Sequence, residues 1–263
     1  MRNIKKGLLL VEFKKFHDFV LNILGLLVNV RAWGPFNECY KLTRFDYAFQ
    51  VSWSQCGEDI VLRDLIASSK NSKFYVDVGA HHPSRFSVTR HLYQIGWNGL
   101  NVDANQELSK IFRINRPRDI FLNCAVGSKR EYEFFSGNEL AVSTTNLAWK
   151  EKFEGQGMSY TQTYRVEGLT LREILDHSKC PERVAFLNID IEGSDFEALI
   201  SADLEHLSSR RWPDWIMVES TPPVISAEKN ESVNYLQQLG YEMWSQLPFV
   251  TLLRSPYNRE SPK

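Results

Sequence analysis

Apolar positions along the chain fall into short runs of four to six residues separated by segments of helical spacing. "KFYVDVG", "NGLNVDAN", "DIFLNCAVG", "RVAFLNIDIEG" and "DWIMVES" each read as a short buried strand. Between them, "SQCGEDIVLRDLIAS", "SVTRHLYQIG", Gln106 to Asn115, "TLREILDHS", "SDFEALISADLEHLS" and "SVNYLQQLG" carry apolar residues three and four apart and predict helices. Gly96 marks one helix stop, and a Ser/Asp cap marks the start of the helix after residue 193. "EYEFFS" and "QTYRVEG" add β-like segments around a polar and aromatic stretch at 138–161, and "YEMWSQ" with "FVTLLR" predicts a terminal hairpin. Strands alternating with helices imply right-handed parallel crossovers. The expected fold is α/β: a doubly wound, mostly parallel seven-stranded sheet of Rossmann-like type with an antiparallel edge hairpin. A single domain over 46–263 accounts for the pattern.

The N-terminal 45 residues read differently. Glu12, Lys15, Asp18, Asn22, Gly25 and Asn29 recur at three-to-four spacing, with Val11, Phe16, Phe19, Val20, Ile23, Leu24 and Leu27 between them. That predicts an amphipathic helix. Its longest clean apolar stretch, Phe19 to Val30, is 12 residues, short of the roughly 20 that span a bilayer. No small-residue cleavage site follows it. Two placements stand side by side: packing on its own domain or on a second subunit, and peripheral docking on a membrane surface.

Composition narrows the class. Lys+Arg 31 against Asp+Glu 32 gives a net charge of −1, so no basic excess points to nucleic acid. Cys39, Cys56, Cys124 and Cys180 form neither a CxxC pair nor a Cys/His cluster. A zinc site or disulfide framework is not expected, and a cytoplasmic setting fits, with membrane association if the N-terminal helix docks.

The chemistry gathers at predicted strand ends. Asp77, Asp103, Asp190 and Glu219 all fall there, where ligands of an open parallel sheet bind. Gly79 follows the first strand and permits close backbone approach. Asp103, 26 residues after Asp77, suits the two hydroxyls of a ribose. A dinucleotide loop, however, needs further glycines where this chain has His81 and Ser84, so pyrophosphate is a poor fit. S-adenosylmethionine (SAM) fits better: Asp103 for its ribose, Asp77 for its ammonium group directly or through water, loop amides for its carboxylate, and Asn123, Cys124 and Ala125 beside the adenine.

These segments, taken in order, resemble the FkbM-type SAM-dependent methyltransferases, a class I family that methylates oxygen. The resemblance rests on "SQCGED", "DVGAHHP", "GWNGLNVDAN", "NCAVG" and "LNIDIEGSDFEAL" and covers about residues 52–220. It implies SAM as donor, a hydroxyl of a sugar, glycan or related metabolite as acceptor, and cofactor contacts from Gln55, Glu58, Asp77, Gly79, Ala80, Asp103, Ala104, Cys124, Ala125 and Asp190. Two departures stand out. Ser194 replaces a histidine common in the family's last motif, and Ser87-Val88-Thr89 stands where S-N-T is expected.

Four side chains are candidates for the base that deprotonates the acceptor: His81, His82, Asp190 and Glu192. The two histidines also fit a loop-shaping role. Asp190, Glu192 and Glu219 either hold a divalent cation or hydrogen-bond the acceptor directly, and the metal-free version is preferred, since no histidine spacing supports a cation site. Trp149, Phe153, Tyr160 and Tyr164 are expected to stack on sugar faces or to cover the sheet edge. A non-catalytic SAM-fold scaffold and a dinucleotide-dependent oxidoreductase remain the rival readings.

Overall fold

A computed structural model describes residues 52–66, 72–220 and 230–258, and the architecture below belongs to the unit Trp53–Lys263. The amphipathic helix expected before residue 46 lies outside the described residues. Seven strands form the main sheet: β1 (Phe74–Val78), β2 (Asn98–Asp103), β3 (Ile120–Asn123), β7 (Phe186–Ile189), β8 (Trp215–Glu219), β9 (Glu242–Gln246) and β10 (Val250–Arg254). Their order is β3-β2-β1-β7-β8-β10-β9. Five are parallel. β10 runs antiparallel to both β8 and β9, which gives the expected edge hairpin.

Alternation along each strand assigns the two faces. Val76, Val78, Leu100, Val102, Leu187, Ile189, Ile216 and Val218 share one core with Leu171, Ile174 and Leu175 of α5 (Leu171–Leu175), Leu199 of α6 (Asp195–Ile200) and Leu236 of α7 (Glu231–Gln238). Tyr75, Phe186 and Met217 face the other way, onto Leu62 and Ile66 of α1 (Glu58–Ile66) and Leu92 of α2 (Arg90–Gln94). The sheet is therefore doubly wound. α3 (Leu108–Asn115) packs Leu108 and Phe112 against Ala80 and Phe121. Among the described residues no helix is long and apolar enough to cross a membrane.

Two segments depart from the sequence pattern. "DIFLNCAVG" does not run as one strand: it divides at Cys124 into β3 and β4 (Ala125–Val126). β4 joins a second sheet of order β4-β6-β5, with β5 at Glu131–Gly137 and β6 at Tyr160–Leu169. The helix expected through residue 208 ends at Ile200 instead. Ser201 accepts the Leu171 amide on its hydroxyl and the Arg172 amide on its carbonyl, and Asp203 turns left-handed at φ 51°. Ser194 occupies the capping position of α6 without a capping hydrogen bond from its side chain. Thr170, by contrast, forms a reciprocal capping box with Glu173, as T-x-x-E predicts.

The polar stretch 138–161 is mostly an insertion between β5 and β6, and its last two residues open β6. It contains a short turn of helix at Leu140–Val142 and α4 (Leu147–Gly155). Asn146 caps α4 by accepting the Ala148 and Trp149 amides.

Candidate active site

The carboxyl ends of β1, β2 and β7 open into a cavity of about 1120 Å³, solvent space at its mouth included. This is the switch point of the sheet, where the chain leaves β1 for β2 and β3 and later returns on the other side as β7. Gly79 marks how closely these strand ends pack. It lies at φ +81°, and a β-carbon there would stand 1.8 Å from the Asp190 carbonyl oxygen. No other residue fits.

Asp103 ends β2 and lines the cavity. Its Oδ2 accepts the His81 amide at 2.9 Å and its Oδ1 the Asn105 amide at 2.8 Å. Burial holds the carboxyl up at about 6 despite these two bonds. Each oxygen keeps lone pairs for a further donor. Val102, Ala104, Leu108, Cys124, Ala125, Val126 and Phe134 supply apolar wall around it. Burial pushes the Cys124 thiol up to about 12, so it stays protonated and acts as wall. Ser54, Gln55 and Glu58 also line the cavity. Glu58 is nearly fully buried and accepts the Cys56 amide at 2.9 Å.

Three groups of the cofactor loop have partners within the protein. Asp77 does not line the cavity: it lies 2% exposed inside the sheet layer. Its oxygens accept Thr89 Oγ1 at 2.6 Å, from the residue before α2, and Asn188 Nδ2 at 3.0 Å, from its paired position on β7. Ala80 likewise turns away from the cavity and packs on α3. The loop amides are not free for a carboxylate either, since Gly79 and Ala80 both donate to the Val102 carbonyl and His81 to Asp103.

The histidines divide the two roles between them. His81 lines the cavity with a left-handed backbone at φ 48°. Its buried Nε2 has no hydrogen-bond partner, and burial followed by the Arg85 charge lowers its pKa to about 4. His82 does not line the cavity, and its Nδ1 accepts the Ser84 and Arg85 amides at 3.2 and 3.0 Å. It shapes the loop, so it is a poor candidate for a base. Sequence gave no warning of the residue that anchors this loop from beneath. Arg116, 1% exposed, donates to the Pro83 carbonyl through Nε and Nη2, to Ser87 through Nη2 and to Thr89 through Nη1. Ser87 and Thr89 of the S-V-T variation thus both hold Arg116, while Val88 lines the cavity.

On the β7 side Asp190, Ile191 and Glu192 line the cavity. The carboxylates that converge are not the expected Asp190, Glu192 and Glu219. Asp190, Asp195 and Glu219 place oxygens within 4.8 Å of one another, and Glu192 turns to the cavity instead. Asp195 reads from sequence as an ordinary helix-start acid. It joins the group because the backbone between β7 and α6 turns sharply through Glu192 (φ 52°) and Gly193 (φ 90°). Burial, then the Glu219 charge, raises Asp195 to about 7, and burial with Glu219 and Asp195 raises Glu192 to about 8. Asp190 is pushed well above the carboxylate range by burial and by the facing charges of Glu219, Asp195 and Glu192.

The insertion grips this turn. Thr144 Oγ1 donates to the Glu192 carbonyl at 2.9 Å and Asn146 Nδ2 to the Gly193 carbonyl at 2.8 Å. Trp149 lies so close that a β-carbon on Gly193 would stand 1.6 Å from its ring. Its aromatics do not line the cavity: Phe153 packs on Trp149, Tyr160 on Phe135 and Tyr164 on Phe134. Leu140, Ala141, Ser143, Thr144 and Thr145 line it instead.

Three solved structures resemble the chain at low similarity. An O-methyltransferase from Bacillus cereus in complex with SAH is 12% identical, with 90% of this chain and 96% of that one covered and a TM-score of 0.39. A precorrin-6y C5,15-methyltransferase from Geobacter metallireducens is 13% identical, with 74% and 85% covered and a TM-score of 0.38. A TehB-like SAM-dependent methyltransferase from Corynebacterium glutamicum is 9% identical, with 86% and 97% covered and a TM-score of 0.38. At these scores the likeness adds nothing to the topology described above. No curated protein sequence matches the chain. Residues 77–243, well over half of its length and including the loop after β1, Asp103 and the acidic turn, match the methyltransferase FkbM domain, and the chain belongs to that family.

Proposed function

We propose that the protein is a SAM-dependent O-methyltransferase whose acceptor is a hydroxyl of a sugar, glycan or related secondary metabolite. The observation that carries this reading is Asp103, which ends β2 in the cavity at the switch point with lone pairs left on both oxygens. The residues present suit the cofactor. Asp103 offers acceptors for two vicinal hydroxyls, and the wall from Leu108 to Phe134 offers an apolar slot for a purine. Gln55, Ser54 and Glu58 offer the polar groups that a zwitterionic tail needs. With the amides of residues 79–81 occupied, the tail's carboxylate falls to side-chain donors such as Gln55. The same occupied amides speak against a pyrophosphate, and so against a dinucleotide oxidoreductase.

When bound, SAM supplies a sulfonium-activated methyl group for in-line displacement. The chain's part is alignment and proton removal. Glu192 is the base best suited to the acceptor hydroxyl: it lines the cavity, its turn is held by Thr144 and Asn146, and its raised basicity lies near neutral pH. His81, lowered to about 4, is the weaker base. Asp190 borders the same space. The preferred reading needs no metal: Asp195 serves as the polar anchor of its own turn by accepting the Ile191 amide, which accounts for its burial without a cation.

Incubation with methyl-labelled SAM and a panel of sugars, nucleotide sugars and hydroxylated metabolites tests the reading. Label recovered as an O-methyl ether is expected. Label recovered only on nitrogen would overturn the O-methyl assignment.

A further inference from the structure

The cofactor loop and the insertion both line the cavity, and a single ion pair ties them together. Arg85 Nη1 and Nη2 meet Glu139 Oε1 and Oε2 at 2.8 and 2.9 Å, a bidentate fork. On the loop side, the Arg85 guanidinium lies 4.5 Å from the centre of the Phe86 ring. Phe86 stacks on His81 with ring centres 6.2 Å apart. Both rings line the cavity, and both residues take the left-handed backbone that L side chains disfavour. On the insertion side, Glu139 Oε1 also accepts the Ala141 amide, which begins the turn that puts Leu140 and Ala141 into the cavity. The bond to Arg85 holds the Glu139 carboxyl down at about 2, so the pair stays charged at neutral pH.

We infer that Arg85 and Glu139 are positioning residues for the cofactor: a clasp joining the two segments of cavity wall, which opens for the cofactor to enter and leave. The inference rests on reading the cavity as the SAM site. The pair is 48% and 39% exposed, so it adds little to global stability. Its effect is local, on the wall formed by His81, Phe86, Leu140 and Ala141.

The clasp is tested with the full chain and S-adenosylhomocysteine (SAH) as probe, following binding and release by stopped-flow tryptophan fluorescence. Wild type, E139Q, R85A and the double variant R85A/E139Q are compared at low and at about 1 M salt. The single variants should release SAH about three- to tenfold faster than wild type and also bind it faster, at unchanged Tm. High salt should speed release from wild type and leave E139Q unaffected, and the double variant R85A/E139Q should release SAH no faster than the faster single variant. Wild-type rates in both single variants, or effects of the two substitutions that simply add in the double variant, would overturn the clasp alone. Failure of wild type to bind SAH at all would overturn the cofactor reading and the clasp with it.

Discussion

The network around Arg116 and the carboxylates around Asp190 are both charged and both drawn into the protein, yet they are built in opposite ways. Around Arg116, opposite charges and matched donors meet. The guanidinium holds Pro83, Ser87 and Thr89, with Asp119 3.8 Å away. Asp119 accepts Tyr75, Asn101 and the Gly99 amide, and Asp77 accepts Thr89 and Asn188. Burial raises the Asp77 and Asp119 carboxyls, and their hydrogen bonds and Arg116 draw them back. Around Asp190 like charges face one another, and repulsion adds to burial in raising Asp190, Glu192 and Asp195. Matched burial makes a rigid bed for the cofactor loop. Crowded carboxylates instead cost stability and provide groups that exchange protons near neutral pH.

The sharpest way to break the contrast is to remove its matched half. Arg116→Met should lower the unfolding free energy by about 3–5 kcal/mol in urea titrations, because it strands Asp119 and the Pro83 carbonyl. Arg116→Lys should recover only part, since one ammonium cannot reach Pro83, Ser87 and Thr89 together. Asp77→Asn comes next. It puts an amide N–H₂ against donors from Thr89 and Asn188 and should cost about 1–3 kcal/mol in the same titration, while SAH affinity changes less than it does on loss of Asp103.

The crowded half should respond with the opposite sign. Glu192 and Asp195 have folded-state pKa values of about 8 and 7, above their unfolded values near 4. Their contribution to stability is therefore fully present below about pH 4 and is lost as pH rises through about 7–8. Glu192→Gln and Asp195→Asn should leave stability unchanged at about pH 4 and raise it by about 1–2 kcal/mol at about pH 9, read from thermal melts at both pH values. The smallest effect expected is on binding. Ionised Asp103 accepts hydroxyl donors, so SAH affinity should hold above about pH 7 and be about halved at about pH 6, measured by calorimetry.

Strand ends were legible and side-chain companions were not. The runs FYVDV and NGLNVD fixed where Asp77 and Asp103 sit along their strands, since burial on both faces leaves little choice of register. Whether each carboxylate faces the cavity or the sheet layer depends on neighbours 111 and 22 residues away, Asn188 and His81. Arg116 in "INRPRD" reads as a solvated basic residue, and only the placement of α3 beside the loop buries it. Asp195 reads as a helix start, and the left-handed turn at Glu192 folds it back onto Asp190. In the insertion, packing uses the large aromatics as props and leaves the small hydroxyl residues Ser143, Thr144 and Thr145 on the cavity wall.

Calorimetric titration of the full chain with SAH, run beside NAD and repeated with Asp103→Ala, tests the central claim most directly. The account predicts micromolar SAH binding that Asp103→Ala abolishes in a protein that still melts cooperatively, and no binding of NAD. Absence of SAH binding in folded wild type, or binding that Asp103→Ala leaves unchanged, would contradict it.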